Sequence, residues 1–343
     1  MCRHRSLAKW RCPFLASFLA FFAGGACLAL DLGDISGIVA IPGDSAGPER
    51  FLVVNDKKDR DRPGDRGPRV GILTVQDGQR HSYVPVDLPA SAWGAKPAND
   101  LEGACLVPGT SDTFLLLESG YFRGDYGRIF MVRVSMDSKP AIRGEVLRVY
   151  QLPTTGTPFN LEGIACFRWR GSLHLLLGDR ASPSAGGDGT RTSHGTLYHA
   201  PLPSEPAEIR WTKIADLVAP SFAGMNGGGF RHCSDIYLRE IPGLPGTYVL
   251  LVAASYDPGS STGPFRSEVY SAGRLGLNAS TKEELYKPWP KARPMWRLDG
   301  VKVEALASCG PNGSGICIGT DDEGLGGIWR RLLPVKSMPE PIR

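Results

Sequence analysis

The stretch "NDLEGACLV" (Asn99–Val107) returns almost unchanged as "FNLEGIACF" (Phe159–Phe167). Each copy sets one carboxylate, Glu102 or Glu162, directly before a glycine at the head of an apolar run that reads as a buried strand. Fainter copies are "GDISGIVAI" (Gly33–Ile41), "HCSDIYLRE" (His232–Glu240) and "KVEALASCG" (Lys302–Gly310). The five phrases begin at Asp34, Asp100, Asn160, His232 and Lys302, spaced 60 to 72 residues apart. A second apolar run follows each: "FLVVNDKKD", "FLLLESGYF", "LHLLLGDRA", "YVLLVAASY" and "GICIGTDDE". Third runs follow in "GILTV", "RIFMVRV", "GTLYHAPL", "SEVYSAG" and "GIWRRLL", and fourth runs in "YVPVDLP", "VLRVYQLP" and "IRWTKIADL". A period of this length, filled by short strands and turns, predicts an all-β chain in which a four-stranded antiparallel sheet repeats radially as β-propeller blades. Five phrases predict five blades. A sixth, degenerate blade in the Pro/Gly-rich 216–230 segment is the alternative. "LALDL" (Leu28–Leu32) is placed to give the last blade its outer strand.

Composition fits this reading. The 343 residues are 42% hydrophobic and 22% charged, with 43 glycines and 28 prolines, which suits many turns more than long helices. Residues 1–29 read as a secretory signal: Arg3, Arg5, Lys9 and Arg11 without an acid, then the apolar "FLASFLAFFAGGACLAL". That run falls short of the roughly 20 residues a membrane-spanning helix needs. "GGAC", ending at Cys27, resembles a lipoprotein cleavage site but lacks the usual leucine three residues before the cysteine. The expectation is a periplasmic or secreted protein with a single propeller domain over 30–343 and no transmembrane segment after leader removal. Subtracting the four leader bases from 39 Lys+Arg leaves 35 against 35 Asp+Glu. A neutral balance gives no reason to expect nucleic acid as a partner. Five cysteines remain, so intramolecular pairing cannot be complete. "CGPNGSGIC" (Cys309–Cys317) is a tight hairpin open to two readings, a disulfide across its base or two buried thiols.

The order D-x-S-G, D-L-E-G, x-x-E-G, a weaker fourth phrase, then x-x-E-A resembles a group of exported bacterial β-propellers. The group includes the SdiA-regulated proteins, the "esterase-like activity of phytase" family and a family of unknown function. The last is the most similar, through "GFRHCSDIYL" (Gly229–Leu238) and "GPFRSEVYSAGR" (Gly263–Arg274). The resemblance covers residues 31–335 and implies the propeller, with little chemistry. The fourth phrase departs from the pattern, with Ser234 at the glutamate position and Asp235 at the glycine; the fifth has Ala305.

In an antiparallel blade the first strand starts on the face where the second ends, and the innermost strands surround the axis. The phrase heads and the second-strand ends therefore converge on one mouth of a central channel. Glu102, Glu162 and Glu304 form the candidate metal set there, and Ca²⁺ is the hard cation that mixed carboxylate, carbonyl and water ligands suit. Equally consistent is each acid bonding a neighbouring blade and locking the ring. Asp56, Lys57, Glu118, Arg123, Asp179, Arg180, His194, Asp321 and Asp322 are the candidate ligand-binding residues, with the bases suited to a small-molecule or anionic ligand. The chain has no G-x-S-x-G nucleophile elbow, no P-loop Lys-Ser/Thr and no Cys/His spacing of a zinc site. The functional expectation is a non-catalytic module binding a ligand beside Ca²⁺. A phytase-like metal-assisted phosphatase, phosphodiesterase or esterase and an envelope interaction scaffold are the alternatives. The expectation leaves enzyme activity open.

Overall fold

The first, second and third apolar runs of all five repeats are strands in the computed structural model, which describes residues 33–43, 47–56, 68–76, 80–121, 127–136, 141–153, 159–180, 194–223, 225, 229–276 and 285–334. Residues 1–29, expected to be a secretory signal, and "LALDL" lie outside the described residues. Unit one comprises β1 (Ile35–Ile41), β2 (Glu49–Asn55), β3 (Val70–Gln76) and β4 (Arg80–Asp87). Unit two comprises β5 (Leu101–Leu106), β6 (Thr113–Glu118), β7 (Arg128–Ser135) and β8 (Ile142–Gln151). Unit three holds β9 (Leu161–Trp169), β10 (Ser172–Asp179), β11 (Gly195–Pro201) and β12 (Thr212–Leu217). Unit four holds β13 (Phe230–Ile241), β14 (Leu244–Tyr256), β15 (Arg266–Gly276) and β16 (Tyr286–Asp299). Unit five has β17 (Val303–Cys309), β18 (Gly315–Thr320) and β19 (Trp329–Arg331) among the described residues.

Within every unit, neighbouring strands pair antiparallel in sequence order. The outer strands β4 and β8 also touch in a short parallel pairing, Val86 with Ile142 and Asp87 with Arg143, which joins units one and two into one sheet. The inner strands pack side by side in the order β1, β5, β9, β13, β17 and back to β1, so the ring closes around a channel.

Period-2 alternation explains why the second strands are apolar throughout. On β2, Phe51 and Val53 pack with Ala305, Ala307 and Trp329 of unit five, while Leu52 and Val54 pack with Leu101, Leu116 and Phe130 of unit two. The other interfaces repeat this arrangement: units two and three, three and four, and four and five each enclose one apolar cluster. A second strand buried on both faces has no polar side to show.

Two expectations meet a physical reason here. In the 216–230 segment the described residues hold only the end of β12 at Leu217 and the start of β13 at Phe230, with no further strand between them. Strand β16 escaped the sequence reading because Pro288, Pro290 and Pro294 break its pattern. It pairs only with β15 at the sheet's outer edge, where an absent N–H leaves no interior ladder bond unmade. The "CGPNGSGIC" hairpin is closed by a Cys309–Cys317 disulfide between β17 and β18.

Candidate active site

The repeated acid owes its placement to a register shift. Leu161 pairs with Asp179 and Gly163 with Gly178, so Glu162 is one extra residue on β9. The same step skips Ser36 on β1, Glu102 on β5 and Glu304 on β17. On β13 the register slips between Arg231 and Asp235. Such bulges release a side chain from the alternation and re-aim it. The glycine after the acid leaves room for the neighbouring blade: a Cβ on Gly163 would lie 2.5 Å from the Ile236 nitrogen. In unit four Asp235 fills that space, and its carboxylate accepts the N–H of Leu306 at 2.6 Å and of Ile236 at 2.7 Å. Burial raises the Asp235 carboxyl well above the usual range.

Around the mouth the acids form two groups. In units one and two, oxygens of Asp56, Asp100 and Glu102 lie within 4.8 Å of one another, and the Ser119 hydroxyl donates to the Asp100 carboxylate. In units three to five the acids are interleaved with cations. Arg180 pairs with Glu162 at 3.0 Å. Arg231 spans Glu304 at 2.5 Å and Asp257 at 2.8 Å. The Lys302 ammonium lies 2.8 Å from Asp321, 3.5 Å from Glu304 and 3.8 Å from Asp257, and also contacts Glu323.

Electrostatics separate these groups. Burial disfavours the charge on Arg231, but Glu304, Glu162, Asp257 and Glu102 together hold its pKa above the ordinary guanidinium value. Lys302 is likewise raised against burial, chiefly by Glu304. Burial pushes Glu304 up to about 8, against the pull of Lys302 and Arg231. Burial also works against the Asp321 charge, yet Lys302 and the Glu323 N–H outweigh it and hold Asp321 below the usual carboxylate range. Glu304 and Asp321 share the Lys302 ammonium, and the Asp321 charge adds to the upward push on Glu304. A proton on one of the two relieves that repulsion.

Several residues expected to bind ligand make hydrogen bonds within the ring. Glu118 is fully buried and grips Arg128 through both oxygens, at 2.6 and 2.8 Å, while Arg128 donates to the carbonyls of Trp93, Lys96 and Pro97. The Asn99 N–H also donates to Glu118. Asp179 accepts the Asn160 N–H at 3.0 Å, and Asp322 accepts the Lys302 N–H at 2.6 Å and the Thr320 hydroxyl. These acids cap the starts of inner strands. His194 is exposed and sits edge-on to His232, whose Nδ1 accepts the Ala219 N–H. Lys57 and Arg123 lie outside the described residues.

Of the expected metal set, Glu162 and Glu304 already face arginine and lysine cations, whereas Glu102 groups with Asp56 and Asp100. Asp100, Arg231, Asp257, Lys302 and Glu323 were not anticipated. Asp100 lies within the quoted phrase, so its position beside the bulge was the available signal. Arg231 and Asp257 follow no residue pattern shared by the repeats.

No family model matches the chain. No curated protein matches it. Among solved structures, the α-L-arabinanase of Cellvibrio cellulosa in complex with arabinohexaose is similar, with a TM-score of 0.50 and 12% identity over 88% of this chain and 91% of that one. The α-L-arabinofuranosidase of Lactobacillus brevis matches with a TM-score of 0.48 and 10% identity, covering 90% and 95%. The fold is a β-propeller. At this identity the likeness speaks for the fold. The matched arabinanase is a glycoside hydrolase, which stands against the expectation of a non-catalytic binding module. The phytase-like phosphatase alternative is corrected with it.

Proposed function

We propose that the channel mouth hydrolyses glycosidic bonds. The observation that carries this reading is the pair of Glu304 and Asp321 set around one ammonium, Lys302, at 3.5 and 2.8 Å, with pKa values that burial and Lys302 push apart. Glycoside hydrolysis needs one carboxyl that keeps its proton near neutral pH and a second carboxylate that stays ionised. The Glu304–Asp321 pair supplies the proton to the leaving oxygen. Asp56, Asp100 and Glu102, from the neighbouring part of the ring, supply the carboxylate that activates water or attacks the anomeric carbon. Arg231, which feels acids of both groups, holds them in place.

The calcium expectation narrows to Asp56, Asp100 and Glu102, whose clustered oxygens suit a hard cation better than the ion-paired Glu162 and Glu304 do. A bound ion there would add positive charge beside the sugar, and metal analysis of the purified protein checks it.

The test is a panel of aryl glycosides and plant-type oligosaccharides, with arabino-oligosaccharides included because the matched arabinanase carries one. Release of reducing sugar or aryl alcohol is expected from at least one member. No turnover across pentosides, hexosides and uronosides, by protein shown to be folded, contradicts the reading.

A further inference from the structure

Deeper in the channel all five inner strands line a cavity of about 210 Å³, mostly through aliphatic side chains such as Ile38, Ala104, Ile164, Ile236 and Leu306. Two lining residues are thiols, Cys105 on β5 and Cys166 on β9. These strands approach closely because Gly103 has no side chain: a Cβ there would lie 3.2 Å from the Glu162 carbonyl oxygen and 3.4 Å from the Ile164 nitrogen. Two residues further along each strand the side chains repeat their direction. There Cys105 and Cys166 belong to one packed cluster between units two and three and line the same cavity. Cys105 is buried and Cys166 is half-buried, so one of the two is within reach of a small molecule in the channel. Among the described residues the remaining free thiol, Cys233, is fully buried and lies outside this lining. The chain already carries one disulfide, Cys309–Cys317, at the end of another inner strand.

We propose that Cys105 and Cys166 are an oxidation site whose disulfide clips unit two to unit three inside the channel. The oxidant is a small organic disulfide of the glutathione class. Cys166 gives up its proton and its sulfur attacks one sulfur of the oxidant. The oxidant S–S bond breaks, and the departing thiolate takes the proton. Cys105 then gives up its proton and attacks the Cys166 sulfur of the mixed disulfide, releasing the second small thiolate, which takes that proton. Two protein thiols are oxidised to one disulfide while one small disulfide is reduced to two thiols. Burial raises the Cys105 thiol above its ordinary range, which makes the second step the slower one.

The experiment incubates the whole protein with oxidised glutathione at about pH 8, where an ordinary thiol is partly ionised. The sample is then unfolded in N-ethylmaleimide, digested and mapped by mass spectrometry. The expected result is a linked Cys105–Cys166 peptide, with maleimide lost from both and kept on Cys233. Cys105→Ser is expected to stop at glutathione held on Cys166, and Cys166→Ser to form neither product. Full maleimide labelling of Cys105 and Cys166 after oxidation, or glutathione on Cys166 of the unaltered protein with no linked peptide, overturns the proposal. The first arm uses the unaltered protein, so it decides the matter even where a variant does not fold.

Discussion

Glu304 of unit five and Arg231 of unit four meet at 2.5 Å across the closure of two blades, and the other arm of Arg231 holds Asp257 at 2.8 Å. One guanidinium therefore joins the candidate acid to the inner ring. Replacing Arg231 by alanine takes the nearest cation from buried Glu304 and half-buried Asp257 and leaves only Lys302 beside them, a change that costs up to about 3 kcal/mol. Urea unfolding of Arg231→Ala should show that loss, with Arg231→Lys falling between it and the parent protein.

Glu102 and Glu118 lie on paired strands but have different jobs. Glu118→Gln removes the charge that balances Arg128, and a loss of about 3 kcal/mol in urea unfolding is expected. Glu102→Gln keeps the side chain's shape in a cluster crowded with acids and should cost far less stability, while turnover falls. Equal destabilisation by the two changes would show that Glu102 is a tether like Glu118.

Stability should depend on pH through Glu304. Its folded pKa, about 8, lies above the unfolded value of 4.5, so the stability it contributes is full below 4.5 and is lost as pH rises through 8. Asp321 acts in the opposite sense: its lowered pKa gives stability that is lost as pH falls below 3.8. Melting temperatures measured between these limits should decline toward the alkaline side, and Glu304→Gln should flatten that decline. An unchanged slope in the variant would place the titration elsewhere.

Asp235→Gly restores the residue that other repeats carry, yet it should destabilise. The change strips the Leu306 N–H of its acceptor in a fully buried seam, a loss of about 1–3 kcal/mol. Thermal unfolding checks this, and a neutral outcome would mean that water or a backbone shift replaces the bond.

The repeat is legible in the sequence because each inner strand must be apolar along its length and must bring a small residue to the axis, as at Gly37, Gly103 and Gly163. The convergence of Glu102, Glu162 and Glu304 follows from strand direction alone. What alternation cannot reveal is the single extra residue of a bulge, which decides where each acid points. Nor can it distinguish second-strand acids that face the mouth, such as Asp321, from those that cap a strand, such as Asp179 and Asp322. Arg231 and Lys302 stand where other repeats have unrelated residues, so their pairing with Glu304 appears only in three dimensions. The three prolines of β16 hide a strand that its edge position tolerates.

The central claim, an acid pair at the mouth that cleaves glycosides, is tested most directly by kcat of the unaltered protein and of Glu304→Gln on the best substrate of the panel. Circular dichroism of both must show them folded. A fall of about 10²-fold or more in the variant is predicted, the usual contribution of a positioned general acid. Equal turnover in the folded variant would contradict the account.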